Sequence, residues 1–341
     1  MNLAGDLDVV SFARGLIDID STTGREGEAG AWLARFLHGR GYTGQEQPVA
    51  DGRVNVYARV DEAPRLVFST HIDCVPPFFP SREERGLLFG RGACDAKGIL
   101  AAQVAAAERL REGGERRIAL LFVAGEERGS DGARTANPLA PAGVRYLVNG
   151  EPTDNRLAAA TRGVLRVRLR AEGRAAHSSM PELGESAIEK LVDAIVALRT
   201  IDLPADAVLG RTHYTVGLVE GGVAPNVIPP AATADVNFRT AGDVDALRAA
   251  LRALEPAVDV EEILEVPPVT LMTVPGFETA VFPFTTDVPF LTAWGRTLLV
   301  GPGDVRVAHT ADEHVPIAEL ERAVDLYVRL AVELLGGREP E

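Results

Sequence analysis

The sequence predicts an α/β domain interrupted by a smaller α+β domain. Strand-like apolar runs alternate with helical segments through the first part of the chain. A central stretch breaks that alternation, and a strand running into a histidine-bearing segment resumes it near the C-terminus. With 341 residues, 46% of them hydrophobic, the chain can bury one large core or two smaller ones. The expected boundaries are 1–161 and 269–341 for the two parts of the first domain and 162–268 for the insert.

From Leu7 to Ile19 apolar residues recur at helical spacing. STTGREGE then offers Ser/Thr caps and early acidic residues for a second helix through Phe36 and Leu37, stopped at Gly39 and Gly41. Val54 to Val60 alternates as a half-buried strand does, and Leu66, Val67 and Phe68 read as a buried strand that ends at His71 and Asp73. Those two side chains are costly to bury unpaired. After GRGACDAKG, which carries Asp95, the run ILAAQVAAAERLREGG reads as a helix with Gly113 and Gly114 as its stop. Arg117 to Ala124 is a strand running into Gly125, Glu126 and Glu127; Arg145 to Asn149 is another, running into Glu151. Leu298 to Val300 leads through GPGD to His309 in AHTADEH. Separate strands thus deliver carboxylates and imidazoles to one edge, where open α/β sheets place their ligands.

The central stretch has its own order. VLRVRLR, a helix at Ala187–Leu198, strands near Tyr214–Val219 and Ala232–Phe238, a helix at Val244–Leu254 and a strand at Val258–Leu264 follow in turn. This β-α-β-β-α-β succession is the split unit of a ferredoxin-like domain. Arg166, Arg168 and Arg170 fall on one side of the first strand by alternation alone and read as a solvated sheet face.

A formal charge of -14 and a pI near 5.0 argue against a nucleic-acid partner, which needs a cationic footprint. Asp6 and Asp8 stand where a signal peptide would carry Lys or Arg, and no apolar run approaches the roughly 18 residues of a membrane span. The expectation is a soluble cytoplasmic protein that engages no membrane. Cys74 and Cys94 are too few for a disulfide scaffold and read as small packing residues beside the site rather than thiolate ligands.

His71, Asp95, Glu127, Glu151 and His309 form a donor set suited to zinc-like divalent ions. Two such ions carry four positive charges; Asp95, Glu127, Glu151 and a hydroxide would balance them. Asp95 between the ions would leave room for a shared water whose pKa falls toward about 7. Glu126 and Glu127 are adjacent, and successive side chains of an extended segment point to opposite sides; if Glu127 is a ligand, Glu126 is free to act as general base. Asp73 is placed to accept the second ring N–H of His71 and fix its tautomer. His38 and His213 receive no role. The chemistry expected of this set is hydrolysis of an acyl or amide bond.

The segments STHIDCVP, GRGACDAKG, GEE, GEPT, GRAAHSS, GGVAPNVIPP, NFRT and GPGDVRVAHTADEH resemble, in order, those of the di-zinc aminoacylase and exopeptidase family. That family includes acetylornithine deacetylase, succinyl-diaminopimelate desuccinylase and glutamate carboxypeptidase. The resemblance implies a zinc-peptidase-like catalytic domain with a mixed sheet flanked by helices, plus a ferredoxin-like lid or dimerisation domain. It implies two Zn2+ per subunit, with Co2+ or Mn2+ as possible substitutes. Asp95 would bridge, His71 and Glu151 would complete one ion, and Glu127 and His309, in preference to His314, the other. It makes Glu126 the base and His177 an oxyanion-stabilising group reaching the partner's site in a homodimer. Asn226 and Arg239 would hold a substrate carboxylate, and TTDVPF would place Thr286 and Asp287 near the substrate. Within the family, GPGDVRVAHTADEH and TTDVPF are most similar to the arginine-pathway deacetylases of acetylornithine or acetylcitrulline. The leading expectation is therefore removal of an N-alpha-acyl group, acetyl first, from a small-molecule N-acyl amino acid, with acetylornithine or acetylcitrulline as the substrate. The alternative is a dipeptidase, carboxypeptidase or succinyl-diaminopimelate desuccinylase, and a non-catalytic metal-binding protein stands behind both.

Overall fold

Two amphipathic helices open the chain, α1 (Val9–Ile17) and α2 (Gly27–Gly39). The computed structural model describes residues 7–61, 63–255 and 257–336, so the acidic N-terminal position Asp6 lies outside the described residues. Asp8 caps α1, its carboxylate accepting the N–H groups of Val10 and Ser11. The Ser/Thr caps expected for α2 are a correction. Glu26 occupies its N-cap position without a side-chain cap bond. Ser21 instead donates to the Ile72 carbonyl (2.8 Å) and Thr23 to the Asp73 carboxylate (2.9 Å). These hydroxyls are drawn to the buried polar groups beyond a strand end, which need partners more than an exposed helix start does.

Strands β1 (Thr43–Pro48), β2 (Val54–Arg59) and β3 (Leu66–His71) come next, then α3 (Lys97–Glu112), β4 (Ile118–Val123), α4 (Asp131–Ala136) and β5 (Tyr146–Asn149). The second unit holds β6 (Gly163–Glu172), α5 (Ala187–Leu198), β7 (His213–Gly221), β8 (Ala231–Thr240), α6 (Val244–Leu251) and β9 (Asp259–Val266). Strand β10 (Arg296–Leu299) and α7 (Ile317–Gly336) follow.

The first sheet has the order β1-β2-β4-β3-β5-β10 and is mixed. Strands β1 and β2 run antiparallel, while β4, β3, β5 and β10 are parallel, a sheet flanked by helices as expected. Alternation sorts the buried side chains to two faces. Phe68, Leu120, Phe122, Val148 and Leu298 face α1, α3 and α7. Val67, Ala119, Leu121 and Leu147 face α4, Leu291 and Trp294. Register brings His71 opposite Val123, and Ser69 and Leu299 opposite Asn149, so the parallel strands finish at nearly one level. The residues just beyond them are therefore neighbours.

The chain divides into two compact units, the second comprising Ala160–Thr270 and Val281–Thr285. Its sheet has the order β7-β8-β6-β9, all antiparallel, with α5 and α6 covering one face, which is the ferredoxin-like arrangement. On the open face Arg168 pairs with Asp235 and Arg170 with Glu261, so those arginines belong to a charged sheet surface. Among the described residues no helix is long and apolar enough to cross a membrane.

Candidate metal centre

Four parallel strand ends supply the centre. Beyond β3, His71 is buried, its Nδ1 2.8 Å from the Asp73 main-chain oxygen and its Nε2 3.0 Å from Asp95 Oδ1. The Asp73 carboxylate lies farther from the ring, at 3.5 Å. The main-chain oxygen and the carboxylate of Asp73 thus both face Nδ1 of His71, the carboxylate on the side of the ring expected of it. That carboxylate also holds something else. Its oxygens accept the N–H groups of Glu126 (3.0 Å) and Glu127 (3.2 Å) and the Thr23 hydroxyl.

Glu126 and Glu127 do not lie on an extended segment, which corrects the basis of that expectation. Gly125, at φ 77°, turns the chain out of β4 into a short 3-10 turn, Glu126–Arg128. With three residues per turn, consecutive side chains diverge by about 120°. The two carboxylates part company all the same. Glu127 Oε1 sits 2.8 Å from His309 Nε2, while half-buried Glu126 lies in the field of Glu151 and Asp287.

Asp95 stands between the two imidazoles, its Oδ2 3.2 Å from His309 Nε2. Donor atoms of His71, Asp95 and Glu127 all lie within 4.8 Å of one another. His309 reaches this cluster from beyond β10 with a left-handed backbone, φ 64°. That conformation is uncommon outside glycine and is held where a site over-determines it. His314 is turned elsewhere, its Nδ1 against the Asp312 carbonyl and its ring against Phe89. Cys74 and Cys94 are buried and free, and burial pushes both thiols up, as packing residues require.

The charges show what the cluster is suited to hold. Burial pushes Glu126 and Glu151 well above the ordinary carboxylate range, and repulsion adds to it, from Glu151 at Glu126 and from Asp95 at Glu151. Asp95 is held low despite burial, by hydrogen bonds from His309 and His71. The Asp95 and Glu127 carboxylates hold His309 up to about 10. Asp95, Glu126, Glu127, Glu151 and Asp287 thus share two imidazoles as their close counter-charge. Such a donor set is matched to divalent cations, whose charge would relieve the repulsion.

Thr286 and Asp287 are buried; the Thr286 hydroxyl accepts the Val288 N–H. Neither Asp287 oxygen has a hydrogen-bond partner among the described residues, and burial pushes this carboxyl up to about 7. In the second unit, exposed His177 contacts Ser179 Oγ (2.7 Å), and its loop bridges to that of Asn226 through Ser178 N–H and Val227. Arg239 lies on β8, where burial and neighbouring Arg166 pull its guanidinium below the usual range.

The family model described as Peptidase family M20/M25/M40 matches residues 67–333. The chain belongs to this family. As a member of a peptidase family it is a hydrolase. It is 39% identical to a protein of Aspergillus clavatus named a probable carboxypeptidase, over 94% of this chain and 81% of that one. It is 35% identical to a peptidase M20 domain-containing protein of Schizosaccharomyces pombe, over 96% and 85%. Among solved structures, the M20 fold matches aminopeptidase PepT of Bacillus cereus with a TM-score of 0.79 at 20% identity, covering 98% and 100% of the two chains. It matches the YXEP protein of Bacillus subtilis, a dinuclear metal binding peptidase from the M20 family, with a TM-score of 0.71 at 16% identity, covering 96% and 98%.

Proposed function

We propose that the protein is a metal-dependent exopeptidase of the carboxypeptidase or dipeptidase kind, cleaving the amide bond next to a terminal amino acid. The observation that carries this is the His71–Asp95–His309 cluster with Glu127 against it and Glu126 left beside it. The relatives named carboxypeptidase, matched along 94% of the chain, favour it over the acetylornithine or acetylcitrulline deacetylase that the C-terminal motifs suggest. Asp95 would bridge two cations, with His71 and Glu151 on one and Glu127 and His309 on the other. Two Zn2+ ions, or Co2+ or Mn2+ in their place, would supply Lewis acidity toward the scissile carbonyl.

Every other step belongs to the chain. Glu126 takes the proton of the attacking water and passes it to the leaving amine; burial raises its carboxyl above the ordinary range, the direction that favours holding a proton. Asp73 fixes the turn that carries Glu126. Arg239 and Asn226 grip the substrate carboxylate, Arg in a bidentate manner. Thr286 and Asp287 border the substrate, and His177, reaching the other subunit's site in a homodimer, stabilises the tetrahedral oxyanion. A cytoplasmic location and a small-molecule substrate complete the reading.

A substrate panel tests it. Free dipeptides and N-blocked dipeptides should release their C-terminal amino acid faster than Nα-acetylornithine, Nα-acetylcitrulline or N-succinyl-diaminopimelate are cleaved, by chromatography of the products. Faster turnover of either acetylated arginine precursor rejects the exopeptidase reading in favour of the deacetylase.

The homodimer also belongs to this proposal, and the second unit supports it. Ile188, Val192 and Val196 form an exposed stripe on α5 at four-residue spacing, and Leu218 and Val219 are exposed on β7, an edge strand. An apolar stripe beside an open strand edge suits a second copy, which can continue the sheet and cover the helix. Val192→Glu with Val219→Lys should convert a dimer to a monomer by light scattering and lower kcat. An unchanged mass for the doubly charged variant sinks this interface.

A further inference from the structure

The loop that presents Asp95 is assembled on a carboxylate with no part in the proposed reaction. Glu313 is 0% exposed. Its Oε1 accepts three main-chain N–H groups, from Gly92 (2.9 Å), Asp95 (3.1 Å) and Cys94 (3.2 Å). Its Oε2 takes the guanidinium of Arg91, itself 1% exposed. Arg91 in turn donates from Nε to the Pro77 carbonyl (3.1 Å) and lies over the Phe79 ring. The main chain of Glu313 joins in as well, its carbonyl accepting the Gly90 N–H (3.2 Å). One residue thus closes on the whole segment from Gly90 to Asp95.

The same residue ties that segment to the one carrying His309. Directly after Glu313, His314–Pro316 forms a strand that pairs antiparallel with Leu87–Phe89, His314 opposite Phe89 and Val315 opposite Leu88. The two stretches are clamped by strand pairing at one end and by Glu313 in the middle, and they meet again where Asp95 faces His309. Stability alone is a weak reason for this design, since a buried ion pair is commonly no better than apolar packing of the same volume. Convergence of three N–H groups on one oxygen does something packing cannot: it dictates the backbone path, and with it the direction of the Asp95 side chain.

We propose that Glu313 is a positioning residue for the metal centre, setting Asp95 and His309 relative to each other so that cation affinity depends on a carboxylate that touches no ion. The inference rests on the reading of Asp95 and His309 as ligands. Hydrogen-bond partners of metal ligands typically change affinity by about 10- to 100-fold when removed. Glu313→Gln keeps a carbonyl acceptor but loses the charge facing Arg91; Glu313→Ala loses both.

The test is a Co2+ titration of the chelator-stripped full chain, followed by visible absorbance, with thermal unfolding in parallel. Val324→Ala, a cavity variant in the buried face of α7, is the control for lost stability. Co2+ affinity should fall about tenfold in Glu313→Gln and about 100-fold in Glu313→Ala, with altered absorption bands, while Val324→Ala keeps wild-type affinity and bands. Should Glu313→Ala fail to fold, Glu313→Gln carries the test. Wild-type affinity and spectrum in Glu313→Gln, or a loss no larger than that of the control, overturns the role of Glu313. Failure of the wild-type chain itself to bind Co2+ is a different result, and it overturns the metal reading on which this one stands.

Discussion

Glu126→Gln is expected to lower kcat by roughly 10²- to 10⁴-fold while metal content and KM stay near wild type. The reasoning is geometric before it is electrostatic. Glu127 is spent on His309, and Glu126, its neighbour in the 3-10 turn, is directed away from that contact. Gln has the same shape and keeps its main-chain N–H on Asp73, so the turn survives the change. What it cannot do is hold a proton between the attacking water and the leaving amine. Metal content by elemental analysis and kcat with the best dipeptide of the panel decide the matter. A variant retaining wild-type kcat would show that the base is another group, and a variant losing its metal would show that Glu126 is a ligand.

The sites of correct and incorrect sequence reading follow from burial. Strands β3, β4 and β5 are buried on both faces, so each carries an apolar run, and the candidate site residues stand at or just beyond its end. In the second unit one sheet face is open, and alternation makes β6 and β8 legible; α5 occupies Ala187–Leu198 as its periodicity predicts. Strand β1, TGQEQP, was not legible. It is an edge strand with five exposed positions, carried by its pairing to β2 and not by any apolar pattern. The hairpin of Arg82–Glu84 and Leu87–Phe89 is missed because strands of three residues are too short to show a period.

Candidate site residues were legible where they followed an apolar run, as His71, Glu127 and Glu151 do. The roles of Thr23, Asp73 and Glu313 were not, because each depends on main-chain groups far along the chain. A buried carboxylate gathering N–H groups leaves no spacing in the sequence. The one available signal for Glu313 was Arg91: a charged residue inside a Gly- and Ala-rich loop beside the site needs a buried partner of opposite sign.

Replacing Asp95 should remove both cations together, and this is the sharpest test of the bridging assignment. Asp95→Ala leaves His71 and Glu151 on one side and Glu127 and His309 on the other, two protein donors each, where catalytic zinc sites ordinarily keep three. Affinity at both positions should therefore fall by more than the roughly 10- to 100-fold that follows loss of a ligand's hydrogen-bond partner. The fold should survive. Asp95→Ala removes hydrogen bonds to both imidazoles, but His309 keeps Glu127 and His71 keeps Asp73 and can shed its proton, so the cost is about 1–3 kcal/mol for each hydrogen bond lost. Elemental analysis should show less than one ion per folded chain in Asp95→Ala, and hydrolysis should vanish with the metal. Glu151→Ala, by contrast, should lose one ion and keep the other, because only one position depends on that carboxylate. If Asp95→Ala instead retains a single ion at wild-type affinity, Asp95 serves one cation alone, and the proposed pair of sites does not share it.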